Sequence, residues 1–366
     1  MSEGLTIEML PAEFGDCLLV GCHRGGEVHW LLIDGGTPGT ADVLRGRLAG
    51  LPGGAVDLLV VTHLDADHIG GIVELLSGPD CGVRFADIWF NGLRHLPPPP
   101  GAARGFAQAE TLTSVLTGSA GGDALPWNAA WNGEAIVRAD DHPKTGEALA
   151  DPPCITTPWG LAITLLSPTP KRLTALWRGW DKYLQAARKG ESCPQTYQDR
   201  SRSSDAGRGL EDLAATPSKK DDTAPNGSSI AFLLEFGGRS CLFAADAFAT
   251  VLYPALARLA RLRKVDRLEL DAFKLPHHGS QANVLLPLFD VVRARHYLVS
   301  TNGARFEHPD DPAVARVITR GGPDHTIWFN YRSERTRRWQ RVIGCEPYRC
   351  GFEYPRSDAG GIVVEL

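Results

Sequence analysis

The chain has 366 residues, 43% of them apolar, with 38 basic and 43 acidic side chains for a formal net charge of −5. This composition can build a core and excludes fibrous or wholly disordered character, while the negative balance gives no chain-wide attraction for nucleic acid. No apolar run approaches the roughly 18 residues of a membrane span, and residues 1–11 lack the basic start and apolar centre of a signal peptide, so a cytoplasmic protein without membrane contact is expected.

In chain order, short apolar runs predict strands at 5–10, 17–22 and 28–34, a helix at 41–48, a strand at 57–61, a helix from 70 to 76 and a strand at 85–90. Four consecutive prolines at 97–100 then break the pattern, and 91–160 reads as a Pro/Trp-rich insertion. Helices are predicted at 110–116 and 173–188 and a strand at 161–166; Trp127, Trp131, Trp177 and Trp180 are expected to pack this region onto the body or to wall a cleft. Residues 199–225, rich in Ser, Asp, Arg, Lys and Gly, are expected to form a mobile loop. Alternation resumes with strands at 230–236 and 240–245, a helix at 252–262, a strand at 268–274, a helix near 282–289, a strand at 295–300, a helix near 313–319 and closing strands at 326–329 and 361–366. Two comparable halves of one α/β domain spanning 1–366 are therefore expected. The cysteines, at 17, 22, 81, 154, 193, 241, 345 and 350, form no Cys-x-x-Cys pair and are expected as thiols; Cys345 and Cys350 flank a turn and would pair only under oxidation.

The chemistry concentrates at residues 60–71, where an apolar strand runs into His63, Asp65, Asp67 and His68 and then Gly70-Gly71. The four polar side chains are expected on the loop between strand and helix. Imidazole and carboxylate are the ligands of catalytic Zn, Mn and Fe sites, and so dense a set of carboxylates calls for cations; a solvated acidic turn is the plain alternative. Asp246 ends a second apolar strand, where it is either a bridging ligand or a helix cap. A third strand runs into His277 and His278, and a fourth into Asn302-Gly303 with His308 following. All these loops can open on one edge of the sheets.

With these residues in view, the sequence resembles the metallo-β-lactamase superfamily, whose His-x-His-x-Asp-His motif is matched by His63, Asp65, Asp67 and His68 with Asp in place of the second His. Asp34 matches the family's early Asp-Gly turn, Asp246 its bridging aspartate and His277 or His278 its last histidine. More narrowly it is similar to the hydrolase domain of the competence protein ComEC and its stand-alone bacterial relatives, through His-x-Asp-x-Asp-His, the Asn226 to Ser229 stretch, His-His-Gly-Ser, and Asn-Gly followed by His-Pro. The usual third-motif histidine is absent; Asn226 stands nearest its place, and His142 is a further substitute.

The resemblance implies a four-layer αββα sandwich holding two divalent ions, Zn or Mn, with His63, Asp65 and one of His277 or His278 on one ion, Asp67, His68 and the other partner on the second, and Asp246 between them. It implies a metal-dependent hydrolase, foremost a phosphodiesterase or nuclease that uses a dimetal-activated hydroxide. Asp67 and His308 are the expected catalytic residues. Asp34, Asn226, Lys274 and Asn302 are candidates for contact with substrate or support of the ligands, and Arg305 also adjoins the site. Three carboxylates against two divalent ions would leave a net positive site for an anionic substrate. A hydrolase of small carboxylic esters, thioesters or lactams and a non-catalytic scaffold of the same fold are the alternatives. Nucleic acid and an unidentified partner protein are the expected partners.

Overall fold

The computed structural model describes residues 3–78, 82–97, 107–119, 123–140, 150–188, 209–342 and 348–366. Among them, a six-stranded sheet runs in the order Ile362–Glu365, Gly4–Met9, Leu18–Arg24, Glu27–Ile33, Leu58–Val60, Ile88–Trp89. An eight-stranded sheet runs Cys350–Glu353, His325–Phe329, Val292–Val299, Leu268–Lys274, Arg239–Phe243, Ala231–Phe236, Ala162–Ser167, Cys154–Thr156.

The strands read as continuous apolar runs because both faces of each sheet are covered. Successive residues point to opposite faces. Leu18, Val20 and Cys22 of the first sheet thus share one core with Phe232, Leu234 and Phe236 of the second. Between them, Leu19 and Leu32 turn outward onto Leu44 and Leu48 of helix Ala41–Ala49 and Ile69 and Ile72 of helix Ala66–Ser77. On the far side Leu233 and Leu242 meet Leu252 and Leu256 of helix Ala249–Leu262 and Val314 and Val317 of helix Asp311–Arg320. Helix, sheet, sheet, helix is the expected four-layer αββα sandwich.

Parallel pairing then sets the position of the polar loops. Ile33 registers with Val60, and Phe243 with Lys274 and Lys274 with Leu298, so these strands end at a common edge where α/β sheets collect functional groups.

Several details differ from expectation. The helix over 70–76 begins earlier, at Ala66, which puts Asp67 and His68 on its first turn instead of in the loop. The helix expected near 282–289 is a single turn, Leu288–Val291. Its missing turns are explained by the buried Arg316 guanidinium, which donates to the Gln281 and Val284 carbonyls at 2.9 Å, carbonyls that a helix would use itself. Within the segment expected as a mobile loop, 199–208 lie outside the described residues. The remainder carries helix Leu210–Ala214, with Leu213 and Ala214 buried, and the buried Asp221. Trp127, Trp177 and Trp180 are buried in the helix-facing core. Cys17, Cys22, Cys154, Cys241 and Cys350 are free thiols, whereas Cys81, Cys193, Cys345 and His142 lie outside the described residues. No described helix is long and apolar enough to cross a membrane.

Candidate metal centre

The centre begins with a backbone turn. Asp34, fully buried with a left-handed φ of 58°, follows strand Glu27–Ile33 and accepts from the Thr62 amide at 2.8 Å and the Thr62 hydroxyl at 2.7 Å. This ties the ends of two parallel strands together and presents His63. Helix Ala66–Ser77 then packs so close to the Asp34 turn that a Cβ on Gly71 would lie 2.0 Å from the Gly35 carbonyl; only glycine permits that approach. Asp65 is the N-cap residue, yet its carboxylate makes no cap hydrogen bond and stays available to the centre. The other half is held in tension: Ala245, His277 and His278 all take left-handed φ, of 46°, 48° and 53°. Such conformations cost on the order of 1–3 kcal/mol each and persist where the surroundings dictate them.

The four imidazoles point their Nε2 atoms at one carboxylate. Asp246 Oδ1 lies 3.5 Å from His68 Nε2 and 3.7 Å from His278 Nε2, and Oδ2 lies 3.9 Å from His63 Nε2 and 3.6 Å from His277 Nε2. Asp67 joins the Oδ1 group, 3.4 Å from His278 Nε2 and 4.0 Å from His68 Nε2, and Asp65 joins the Oδ2 group, 3.8 Å from His63 Nε2. The result is two nests of donor atoms sharing Asp246. Ligands about 2.1 Å from a tetrahedral ion sit about 3.4 Å apart, which is the spacing seen here.

Every Nδ1 is engaged on the outer side. His68 Nδ1 pairs with Asp34 at 2.8 Å, His277 Nδ1 lies 3.0 Å from the Asn283 side-chain oxygen and 3.4 Å from Asp221, and His63 Nδ1 meets the Thr62 hydroxyl at 3.0 Å. His278 Nδ1 donates to the Ser300 carbonyl at 2.9 Å and lies 3.3 Å from Asp16. Because a carbonyl and a carboxylate only accept, His278 and His68 carry their protons on Nδ1 in the neutral form, leaving two bare Nε2 lone pairs 3.2 Å apart. That juxtaposition is repulsive without a proton or cation between them. His63 Nε2 and Asp246 Oδ1 are likewise buried with no hydrogen-bond partner among the described residues. The residues therefore fit a metal, and one donor atom each from Asp16, His68, Asp246 and His278 all lie within 4.8 Å of one another.

The electrostatics agree. Burial, then the neighbouring His68, pushes His63 down to about 3, and burial with Asp67 beside it raises Asp65 to about 7. Burial opposes charge on His277 too, but Asp246 and Asp221 outweigh it and carry this imidazole to about 10. Burial likewise opposes the Asp246 charge, and His277, His68 and His278 hold it well below the usual carboxylate range. Protons thus balance the carboxylates where cations would otherwise do so.

Two members escaped the sequence reading. Asp16, in the turn before strand Leu18–Arg24, joins Lys274 Nζ at 2.5 Å, both side chains 1% exposed. Asp221 gathers Asn226 at 2.7 Å and Asn283 at 3.2 Å behind His277. Asn226 is thereby set on the outer side of His277, 3.4 Å from its Nδ1, and Lys274 sits behind His278 rather than at the mouth. Among the other expected residues, His308 is buried with its ring 5.3 Å from that of His277 and its Nδ1 3.4 Å from Asp310. Asn302 is half-buried and accepts from the Ala304 amide at 2.9 Å, a local turn contact. Neither Asp16 nor Asp221 carries a local signal, since neither ends an apolar strand beside other ligand-type residues: Asp16 precedes the run from Cys17, and Asp221 sits in the polar Lys219-Lys220-Asp221-Asp222 stretch.

Comparison with known proteins gives a family match over part of the chain. Residues 10–162 match the model of the Metallo-beta-lactamase superfamily. Among solved structures, a mutant of CmlA beta-hydroxylase is 13% identical, covering 100% of this chain and 54% of that one, with a TM-score of 0.42; the chain spans about half that protein's length. A metallo-beta-lactamase with the HARLDQ motif from Cronobacter sakazakii (Enterobacter sakazakii) is 12% identical, covering 86% of this chain and 90% of that one, with a TM-score of 0.32. No curated protein matches.

Proposed function

From residues 10–162 as a metallo-β-lactamase superfamily domain, we propose that the chain is a metal-dependent hydrolase of phosphodiesters, with DNA or RNA as the first candidate substrate. The observation that carries this reading is the pair of donor nests joined by Asp246. His63, Asp65 and His277 with Asp246 Oδ2 would hold one divalent ion, Zn or Mn, and Asp67, His68 and His278 with Oδ1 the second. Replacing an imidazole by the Asp65 carboxylate hardens the first nest and favours Mn relative to an all-histidine zinc site. When bound, such a pair would supply a nucleophilic hydroxide at neutral pH and a clamp for the attacking and leaving oxygens.

The chain's own groups do the rest. Asp34, Asp221 and Asp16, set behind His68, His277 and His278, orient each ring and raise its basicity as a ligand. Asp67, 3.4 Å from His278 Nε2 in the second nest, would orient the attacking water. His308, whose Nδ1 lies 3.4 Å from Asp310, would hand a proton to the leaving oxygen. The phosphodiester choice rests on this chemistry together with the similarity of His63 to His68, Asn226 to Ser229 and His277 to Ser280 to the ComEC hydrolase domain.

The test is cleavage of labelled single- and double-stranded DNA and RNA with Mn²⁺ or Zn²⁺, beside a His68→Ala/Asp246→Ala variant whose fold is checked by circular dichroism. Cleavage that disappears in the variant supports the reading. An inactive wild type that hydrolyses small carboxylic esters or lactams instead would move the bond to the acyl class.

A further inference from the structure

The buried shell does not attract an anion by itself. Asp16, Asp34, Asp65, Asp67, Asp221 and Asp246 each lie against at least one of the four imidazoles; among the described residues Lys274 is the buried ammonium paired with them, and the half-buried Arg172 lies within electrostatic reach of Asp221. Six carboxylates against Lys274, Arg172 and two divalent ions leave the shell formally neutral, not positive as three carboxylates alone suggested. An anionic substrate therefore needs a cation at the rim. Lys274 is committed to Asp16, and Arg335 faces Glu307 at 4.0 Å.

We propose that Arg305, held over Phe14 and Phe306 on the loops that adjoin the centre, is the receptor for a phosphate-type oxyanion of the substrate; this rests on the phosphodiester reading above. Its guanidinium carbon lies 5.3 Å from the Phe14 ring centroid and 5.2 Å from that of Phe306, and the two rings meet edge-on at 5.8 Å. A cation–π contact of this kind uses none of the guanidinium N–H groups in a hydrogen bond and leaves them free to fork onto an oxyanion. Arg305 is exposed and makes no ion pair or hydrogen bond among the described residues.

The two rings form one patch on loops that adjoin the centre. Phe14 precedes Gly15, which packs so tightly on the helix that a Cβ there would fall 1.7 Å from the Asp67 carbonyl. The Phe306 ring lies 6.2 Å from His308, itself 5.3 Å from His277. The Asn302 amide donates to the Glu13 carbonyl at 2.7 Å, so the two loops that carry the rings are joined. Arg305 is thus anchored on two half-buried rings, one leading through His308 to His277 and the other adjoining Gly15, which packs on Asp67.

Titration of inorganic phosphate into the Mn²⁺-loaded full chain by calorimetry tests this on wild type, Arg305→Ala, Arg305→Lys and Phe306→Leu, with metal content and circular dichroism measured on each. A charged, forked contact of this kind should make Arg305→Ala bind phosphate about 10- to 100-fold more weakly. Arg305→Lys should fall between, and Phe306→Leu should lose a few fold as the arm loosens. Phosphate binding in Arg305→Ala equal to wild type at equal metal content overturns the assignment, as does a wild type that binds no phosphate. Hydrolysis of bis(4-nitrophenyl) phosphate separates the two claims. A wild type that cleaves it with an equally good Arg305→Ala sinks only the receptor. Arg305-dependent phosphate binding without diester cleavage keeps the receptor and sinks the phosphodiesterase.

Discussion

Replacing Lys274 by Met probes the buried charge system behind His278 without touching a proposed ligand. Lys274 Nζ lies 2.5 Å from Asp16 Oδ2 and 3.1 Å from the Leu275 carbonyl, and both charged side chains are 1% exposed. Removing the ammonium strands a carboxylate whose Oδ1 already has no hydrogen-bond partner. Breaking a buried pair from one side costs about 3–5 kcal/mol, whereas removing both charges leaves only unsatisfied polar groups, about 1–3 kcal/mol. Urea titrations followed by tryptophan fluorescence in EDTA should therefore show Lys274→Met destabilised by about 3–5 kcal/mol. The Asp16→Asn/Lys274→Met double variant should recover part of that, with a coupling energy of about 2 kcal/mol. A single-variant loss below about 1 kcal/mol, or strict additivity of the two substitutions, would refute the buried pair.

Other perturbations separate support from ligation. Asp34→Asn leaves the His68 ring without its charged acceptor at 2.8 Å and should weaken metal affinity about 10- to 100-fold in a chelator competition, with the fold retained. Asp221→Asn should act similarly through His277, so that one ion is lost at chelator concentrations that spare the other; simultaneous loss of both would count against two separable nests. Gly15→Ala drives a Cβ into the Asp67 carbonyl, and the variant should melt several degrees below wild type and lose metal, whereas Gly46→Ala, in open space on helix Ala41–Ala49, should hold metal normally.

Much of this architecture was legible in the chain. Apolar runs closed by polar loops at 60–68, 241–246 and 272–278 marked both the strands and the edge at which their ends meet. The His63 to His68 and His277-His278 clusters were visible because ionisable groups so dense after apolar strands have few structural uses. The support layer was not legible. Asp16 and Asp221 reach the imidazoles only after sheet closure and after the 209–225 segment docks, the latter through Arg316, which donates to the Ala214 and Thr216 carbonyls at 3.0 and 2.6 Å. The same arginine erased the helix expected near 282–289. Side-chain competition for backbone carbonyls has no periodic signature, and neither does the net charge of a shell assembled from six distant carboxylates.

The most direct test of the central claim is the divalent metal content of the purified chain after Mn²⁺ or Zn²⁺ loading and dialysis, measured by plasma mass spectrometry beside Asp246→Ala. Two donor nests sharing one carboxylate predict two ions per chain in wild type and at most one in the variant. A folded wild type that retains no ion, or a variant that retains as many as wild type, would contradict it.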